Sequence, residues 1–125
     1  MIAIDTSSMV AFLQGDAGAD AEEVDAALEE KQGVFPPVVL AELLSDPRLT
    51  EQVRGLLKAI PVLETREGFW ERTGLLRAQV LRRGFKARLA DALVAQSCID
   101  HRTSLISRDG DFRHFARIGG LHLVK

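Results

Sequence analysis

One cysteine in 125 residues leaves no partner for an intrachain disulfide, so the fold has to rest on its core rather than on covalent cross-links. Cys98 lies inside the apolar run ALVAQSCI, where packing is the expected role, and such usage fits a reducing cytosol. No stretch reaches the roughly 18 to 20 continuous apolar residues of a membrane span. The start of the chain lacks a charged segment leading into a long apolar block, so a soluble, unexported, cytoplasmic protein is expected. Charge of one sign is not in excess: 16 basic and 18 acidic residues give a formal net charge of -2. Nothing global therefore favours a polyanionic partner, and any nucleic-acid contact has to come from a local patch. Internal repeats, low-complexity segments and interdomain linkers are missing as well.

What is present is a hydrophobic content of 46%, enough for one core in one compact domain over residues 1–125. The run MIAID reads as a short buried strand passing into a helix at Thr6 or Ser7. After the loop GDAGAD, Asp20 and Glu23 form a capping-box-like start for a helix ending near Lys31. An extended entry through Val34 and Phe35 leads to Pro36 and Pro37, which open a short apolar helix that stops at Asp46 and Pro47. Thr50 begins another helix, and IPVLE follows as a strand. Phe69, Trp70, Leu76, Val80 and Leu81 recur at helical spacing up to Gly84, which predicts that Phe69 and Trp70 both pack in the core. RLADALVAQSCIDH is a helix apolar on nearly every side, TSLIS a strand, and GLHLV a candidate last strand. Helices alternating with short apolar strands predict an α/β sandwich with a mainly parallel sheet.

Most acids stand in polar segments, but four do not. Asp5 closes the first strand, Glu42 is the only charge in PPVVLAELL, Asp91 the only charge in LADALVAQSCI, and Asp109 follows SLIS. In an open parallel sheet the ligand crevice lies beyond the carboxyl ends of the strands, where all four carboxylates can converge. Convergent carboxylates repel one another, and a cation is the simplest means of keeping them ionised together. An all-oxygen set suits Mg²⁺ or Mn²⁺, whereas zinc would favour His and Cys. His101, His114 and His122 lack metal-ligand spacing, although His114 follows Asp109 closely. Such a site performs metal-assisted hydrolysis of phosphodiesters and needs no nucleophilic side chain. Thr6, Ser7 and Ser107 are accessory candidates that either position water or phosphate or merely cap helices. The acid-free stretch LLRAQVLRRGFKAR supplies Arg77, Arg82, Arg83, Lys86 and Arg88. It is either a solvated helix face with a cationic end or a patch in which Arg82, Arg83, Lys86 and Arg88 hold a nucleic-acid backbone.

The pieces IDTSSMVAFL, PPVVLAELL, LADALVAQSCIDH and LISRDGDF, in this order and spanning nearly the whole chain, resemble PIN-domain ribonucleases, and within them VapC-type toxins of toxin–antitoxin pairs. The resemblance implies a three-layer α/β/α sandwich and Mg²⁺ or Mn²⁺ dependence. It implies endoribonuclease activity carried by Asp5, Glu42, Asp91 and Asp109, with Asp5, Asp91 and Asp109 on the metal. Asp111 matches a frequent further acid of the family; it either reaches the metal or caps the last helical turn, and capping is the favoured reading. The resemblance also implies homodimers and inhibition by a VapB-type antitoxin whose tail lies over the active-site groove. Three other readings are a catalytically inactive PIN module binding RNA or protein, a housekeeping RNA-processing nuclease, and a phosphoacceptor domain. The last of these lacks its expected strand-end lysine.

Overall fold

The structure, a computed structural model, describes residues 1–124. Its elements run β1 (Ile2–Ile4), α1 (Thr6–Gln14), α2 (Ala19–Glu29), β2 (Gly33–Val34), α3 (Pro37–Leu44), α4 (Glu51–Ala59), α5 (Phe69–Arg82), α6 (Leu89–Asp100), β3 (Ser104–Ile106) and α7 (Phe112–Gly119). The strands pair in parallel in the order β2-β1-β3, with Ile2 opposite Gly33 and Ser104, and Ile4 opposite Ile106. Successive strand side chains point to opposite faces, and both Ala3 and Ile4 of β1 and both Leu105 and Ile106 of β3 are buried. Both sheet faces are therefore covered by helices, as the sandwich reading expected.

The two further strands expected at IPVLE and GLHLV shrink to one bridge each, Phe35 to Val62 and Leu105 to Leu123. Pro61 explains the first: it has no N–H, so it joins the ladder only by accepting a hydrogen bond from the Phe35 amide at 2.8 Å.

Two helix starts follow different rules. Thr50 caps α4 as expected, its Oγ1 accepting from the Val53 amide. The expected capping box of α2 is absent: Gly18 occupies the N-cap, and the Asp20 carboxylate is drawn away by Ser8 and Arg108. Helix α5 buries Phe69, Thr73, Leu76 and Val80, one face at helical spacing. Neighbouring positions on a helix are about 100° apart, so a helix that buries a single face, as α5 does, leaves one of two adjacent residues outside. Trp70 is accordingly 70% exposed, edge-on to the buried Phe69, which corrects the expectation that both pack inside. Gly84 ends the element with a left-handed φ of 81°, its amide donating to the Leu81 carbonyl.

Helix α6 is the central one, buried along Ala92, Val94, Ala95, Gln96, Ser97 and Cys98. It is tied to α5 by Asp100, which accepts two hydrogen bonds from the Arg72 guanidinium at 3.0 and 2.7 Å and one from Gln96. Burial opposes the ionised form of Asp100, yet these donors hold its carboxyl below the usual range. The Cys98 thiol is pushed up to about 12 by burial and by the charge of Asp5, so it acts as packing. Helix α7 lies against α5 so closely that a Cβ on Gly119 would fall 2.5 Å from Cδ1 of Leu76.

Candidate active site

β1 ends in Ile4, and the next residue, Asp5, continues the ladder through its amide to the Ile106 carbonyl before turning into α1. Asp5 is buried, 6% exposed as a residue, and its carboxylate does not cap the helix. Instead, Oδ2 accepts from the hydroxyls of Ser7 at 2.8 Å and Ser107 at 2.9 Å. Ser107 is the first residue beyond β3, and its oxygen accepts in turn from the Asp109 amide at 3.0 Å. Asp109 Oδ1 then accepts from the Asp111 amide at 2.9 Å. The ends of β1 and β3 and the start of α7 thus form one hydrogen-bonded chain, Asp5–Ser107–Asp109–Asp111. Every link was available once a parallel pair placed the two strand ends side by side.

Asp91 joins this chain from the first turn of α6. Asp91, Asp109 and Asp111 each bring one carboxylate oxygen into a group lying within 4.8 Å. Burial, and then the charges of Asp109 and Asp5, push the Asp91 carboxyl up from 3.8 to about 6, with Arg88 opposing them. Its Oδ2 is buried without a hydrogen-bond partner among the described residues. A buried, orphaned acceptor on a member of a carboxylate cluster is the feature that a hard cation satisfies.

The remaining acids are placed differently from expectation. Asp111 occupies the N-cap of α7, but its side chain makes no capping bond and turns to the cluster, correcting the reading of it as a cap. The reason lies in the backbone: Asp111 is already helical (φ -66°, ψ -21°) instead of extended, the Arg113 and His114 amides go to the carbonyls of Gly110 and Asp111, and the carboxylate lies 3.9 Å from Lys86 Nζ. Glu42 stands apart from the three-carboxylate group and is exposed, so apolar surroundings do not set it off. It accepts from Thr6 Oγ1 at 2.7 Å, which attaches α3 to the residue next to Asp5. Thr6 and Ser7 therefore bond to carboxylates and cap nothing.

The basic stretch divides by role. Arg77 is spent inside, its Nε donating to the Ala87 carbonyl at 2.8 Å. Arg82, Arg83, Lys86 and Arg88 are exposed, Lys86 beside Asp111 and Arg88 at the N-cap of α6, less than one turn from Asp91. The α/β sheet is bordered by one more polar group that sequence reasoning missed. Arg108, between Ser107 and Asp109, grips Asp20 at the start of α2 through two bonds of 2.8 and 3.0 Å, and Ser8 of α1 donates to the same carboxylate at 2.8 Å. Arg108 pulls the Asp20 carboxyl down to about 2 against the effect of burial, with Ser8 helping. Eighty-eight residues separate the pair, and no local spacing announces it.

These acids lie at the ends of β1 and β3 and at the starts of α6 and α7, on a small parallel sheet. The PIN domain sequence model matches residues 2–118. Among solved structures, VapBC2 from Rickettsia felis bound to a promoter DNA fragment superposes with a TM-score of 0.73 at 22% identity, covering 99% of this chain and 98% of that one. FitAcB from Neisseria gonorrhoeae gives 0.71 at 16% identity, with 100% and 97% covered. VapBC-5 from Mycobacterium tuberculosis, of the VapBC family of toxin–antitoxin systems, gives 0.67 at 18% identity, with 99% and 97% covered. Comparison with curated protein sequences gives no match. With the family match running from the first strand through the last helix and the same fold in each of these structures, the chain belongs to the PIN-domain family.

Proposed function

We propose that this chain is a metal-dependent endoribonuclease that hydrolyses RNA phosphodiester bonds and serves as the toxin of a type II toxin–antitoxin pair. The observation that carries the proposal is the orphaned, buried Oδ2 of Asp91 beside Asp109 and Asp111. Three acids in such proximity, with Asp5 linked to Asp109 through Ser107, fit a divalent cation, and the all-oxygen donor set favours Mg²⁺ or Mn²⁺. Asp5, Asp91 and Asp109 would hold the ion, with Asp111 as a further donor. Once bound, the ion supplies Lewis-acid stabilisation of phosphate charge and a lowered pKa for water.

The chain's own groups do the rest. Ser7 and Ser107 keep the Asp5 carboxylate in one rotamer, and Ser107 fixes the loop that carries Asp109. Glu42, oriented by Thr6, stands outside the three-carboxylate group and can accept a hydrogen bond from a water or a substrate hydroxyl. Arg82, Arg83, Lys86 and Arg88 hold the RNA backbone without reading its sequence. An antitoxin of the VapB type, whose tail covers the groove, and a second copy of the chain are the protein partners; the exposed Trp70, Leu75 and Leu89 support such association.

Cleavage of total RNA by purified protein, with Mg²⁺ or Mn²⁺ and with EDTA, tests the reading against Asp5→Asn. Metal-dependent cutting by the wild type that disappears in the variant is expected. Cutting that persists in EDTA or in Asp5→Asn overturns it.

A further inference from the structure

The loop between α5 and α6 meets α7 through two successive residues. Lys86 reaches Asp111, and the preceding residue, Phe85, lays its ring on the imidazole of His114, with centroids 4.2 Å apart and planes within 12°. Asp111 and His114 are three positions apart at the start of α7, so they share one side of the helix. The aromatic pair therefore borders the carboxylate cluster on the side where the exposed cations Lys86 and Arg88 stand.

The two rings are used differently. Phe85 is half-buried and packs against the hydrophobic core, whereas His114 is half-buried and gives one face to Phe85, so the other face of the imidazole is the one offered to a base. Among the described residues nothing hydrogen-bonds the ring nitrogens of His114, in contrast to His101, whose Nε2 meets the Glu64 carbonyl at 2.7 Å. The loop is also held from behind, by Arg77 on the Ala87 carbonyl, so the pair does not have to anchor it alone. A rigid, half-open aromatic stack next to cations and a phosphodiester-hydrolysing cluster has the composition of a single-strand binding site, in which bases stack on aromatic faces while cations follow the backbone.

We infer that the Phe85–His114 stack is a nucleobase subsite that receives one base of a single-stranded RNA next to the scissile phosphate. The inference rests on the nuclease reading above. It assigns to this pair a choice of single-stranded over duplex substrate, because a paired base presents no free face. The imidazole acts by its flat surface, and its nitrogens are not required.

The test is the affinity of the full chain, in EDTA so that no probe is cut, for a fluorescent single-stranded oligoribonucleotide and for the same strand carrying abasic positions, read by fluorescence anisotropy. Taking the ratio of the two affinities cancels the backbone contribution. The wild type is expected to favour the base-bearing strand by roughly 5- to 150-fold, the range for one stacked base. His114→Leu and Phe85→Leu should each bring the ratio close to one, and His114→Phe should keep it. Melting curves of the variants verify the fold, and His114→Phe preserves the packing if the leucine variants do not. A wild-type ratio of one, a ratio unmoved by the leucine variants, or its loss in His114→Phe overturns the stacking subsite and leaves the nuclease reading intact. A wild type that binds neither strand removes both.

Discussion

Replacing Asp91 by Asn should stabilise the metal-free protein at neutral pH, although it removes a group on which the proposed activity depends. The Asp91 carboxyl is raised from 3.8 to about 6, chiefly by burial and then by Asp109 and Asp5. At about 1.4 kcal/mol per pH unit this corresponds to about 3 kcal/mol, and the half-exposed position reduces it through solvent screening to about 1 to 2 kcal/mol. The sign follows from proton linkage. A carboxyl raised in the folded state holds its proton there while the unfolded chain has lost it, so stability falls as pH rises from about 4 through about 6 and is lowest above that. The amide of Asn carries no charge and offers donors to Asp109 and Asp111. In EDTA at pH 7.5 the variant should melt about 3 to 8 °C above the wild type, and at pH 4 the two should coincide. Added Mg²⁺ should reverse the order, because binding to the native state alone stabilises only the protein that retains its ligand. Scanning calorimetry at the two pH values, with and without the ion, measures all of this. An Asn variant less stable than the wild type in EDTA at pH 7.5, or a gap that does not change with pH, would refute the electrostatic reasoning.

Arg108→Met should lower the melting temperature near pH 7 and have little effect near pH 2, because the depressed Asp20 carboxyl contributes stability above about pH 4 that is lost as pH falls through about 2; acid melts of both proteins compare the two conditions. Thr50→Ala removes the α4 cap and should cost about 1 kcal/mol in urea denaturation, with no effect on cleavage. Trp70→Ser should leave the unfolding free energy within about 0.5 kcal/mol while weakening self-association in light scattering; an unchanged oligomeric state would separate Trp70 from the interface. The double change Arg82→Gln with Arg83→Gln should reduce the slope of log affinity for single-stranded RNA against log salt by about 1.4, two phosphates at about 0.7 each.

The parts of this fold that were legible in sequence are those where one residue type has a single cheap position. A short apolar run stopping at an acid marked β1 and Asp5, and Pro36–Pro37 and Thr50 marked helix starts. The approach of Asp91 to Asp109 followed from parallel-sheet topology, because both stand on the side where strands end and helices begin. Other features depended on contacts between distant segments. Asp20 looked like a cap because the local pattern was right, and only the fold brings Arg108 near enough to compete. Trp70 and Phe69 are equally apolar, and a one-residue difference in helical phase decides which is buried. Asp111 could serve its own helix or the cluster, and its helical backbone, which sends the Arg113 and His114 amides to backbone carbonyls, decides the matter.

The missing methyl group at Gly119 reaches further than its own neighbourhood. It allows the end of α7 to settle onto Leu76, and the other end of that eight-residue helix, about 12 Å away, carries Asp111. A stiff rod seated at one end works as a lever. For the ion proposed above, the spacing of the carboxylates would depend partly on the opposite end of the helix, on how deeply a single apolar contact lets the rod sit. Added bulk at the α5–α7 seam, as in Gly119→Ala, is therefore expected to change the affinity for the proposed ion without altering any acid, which titration of Mg²⁺ against both proteins would measure.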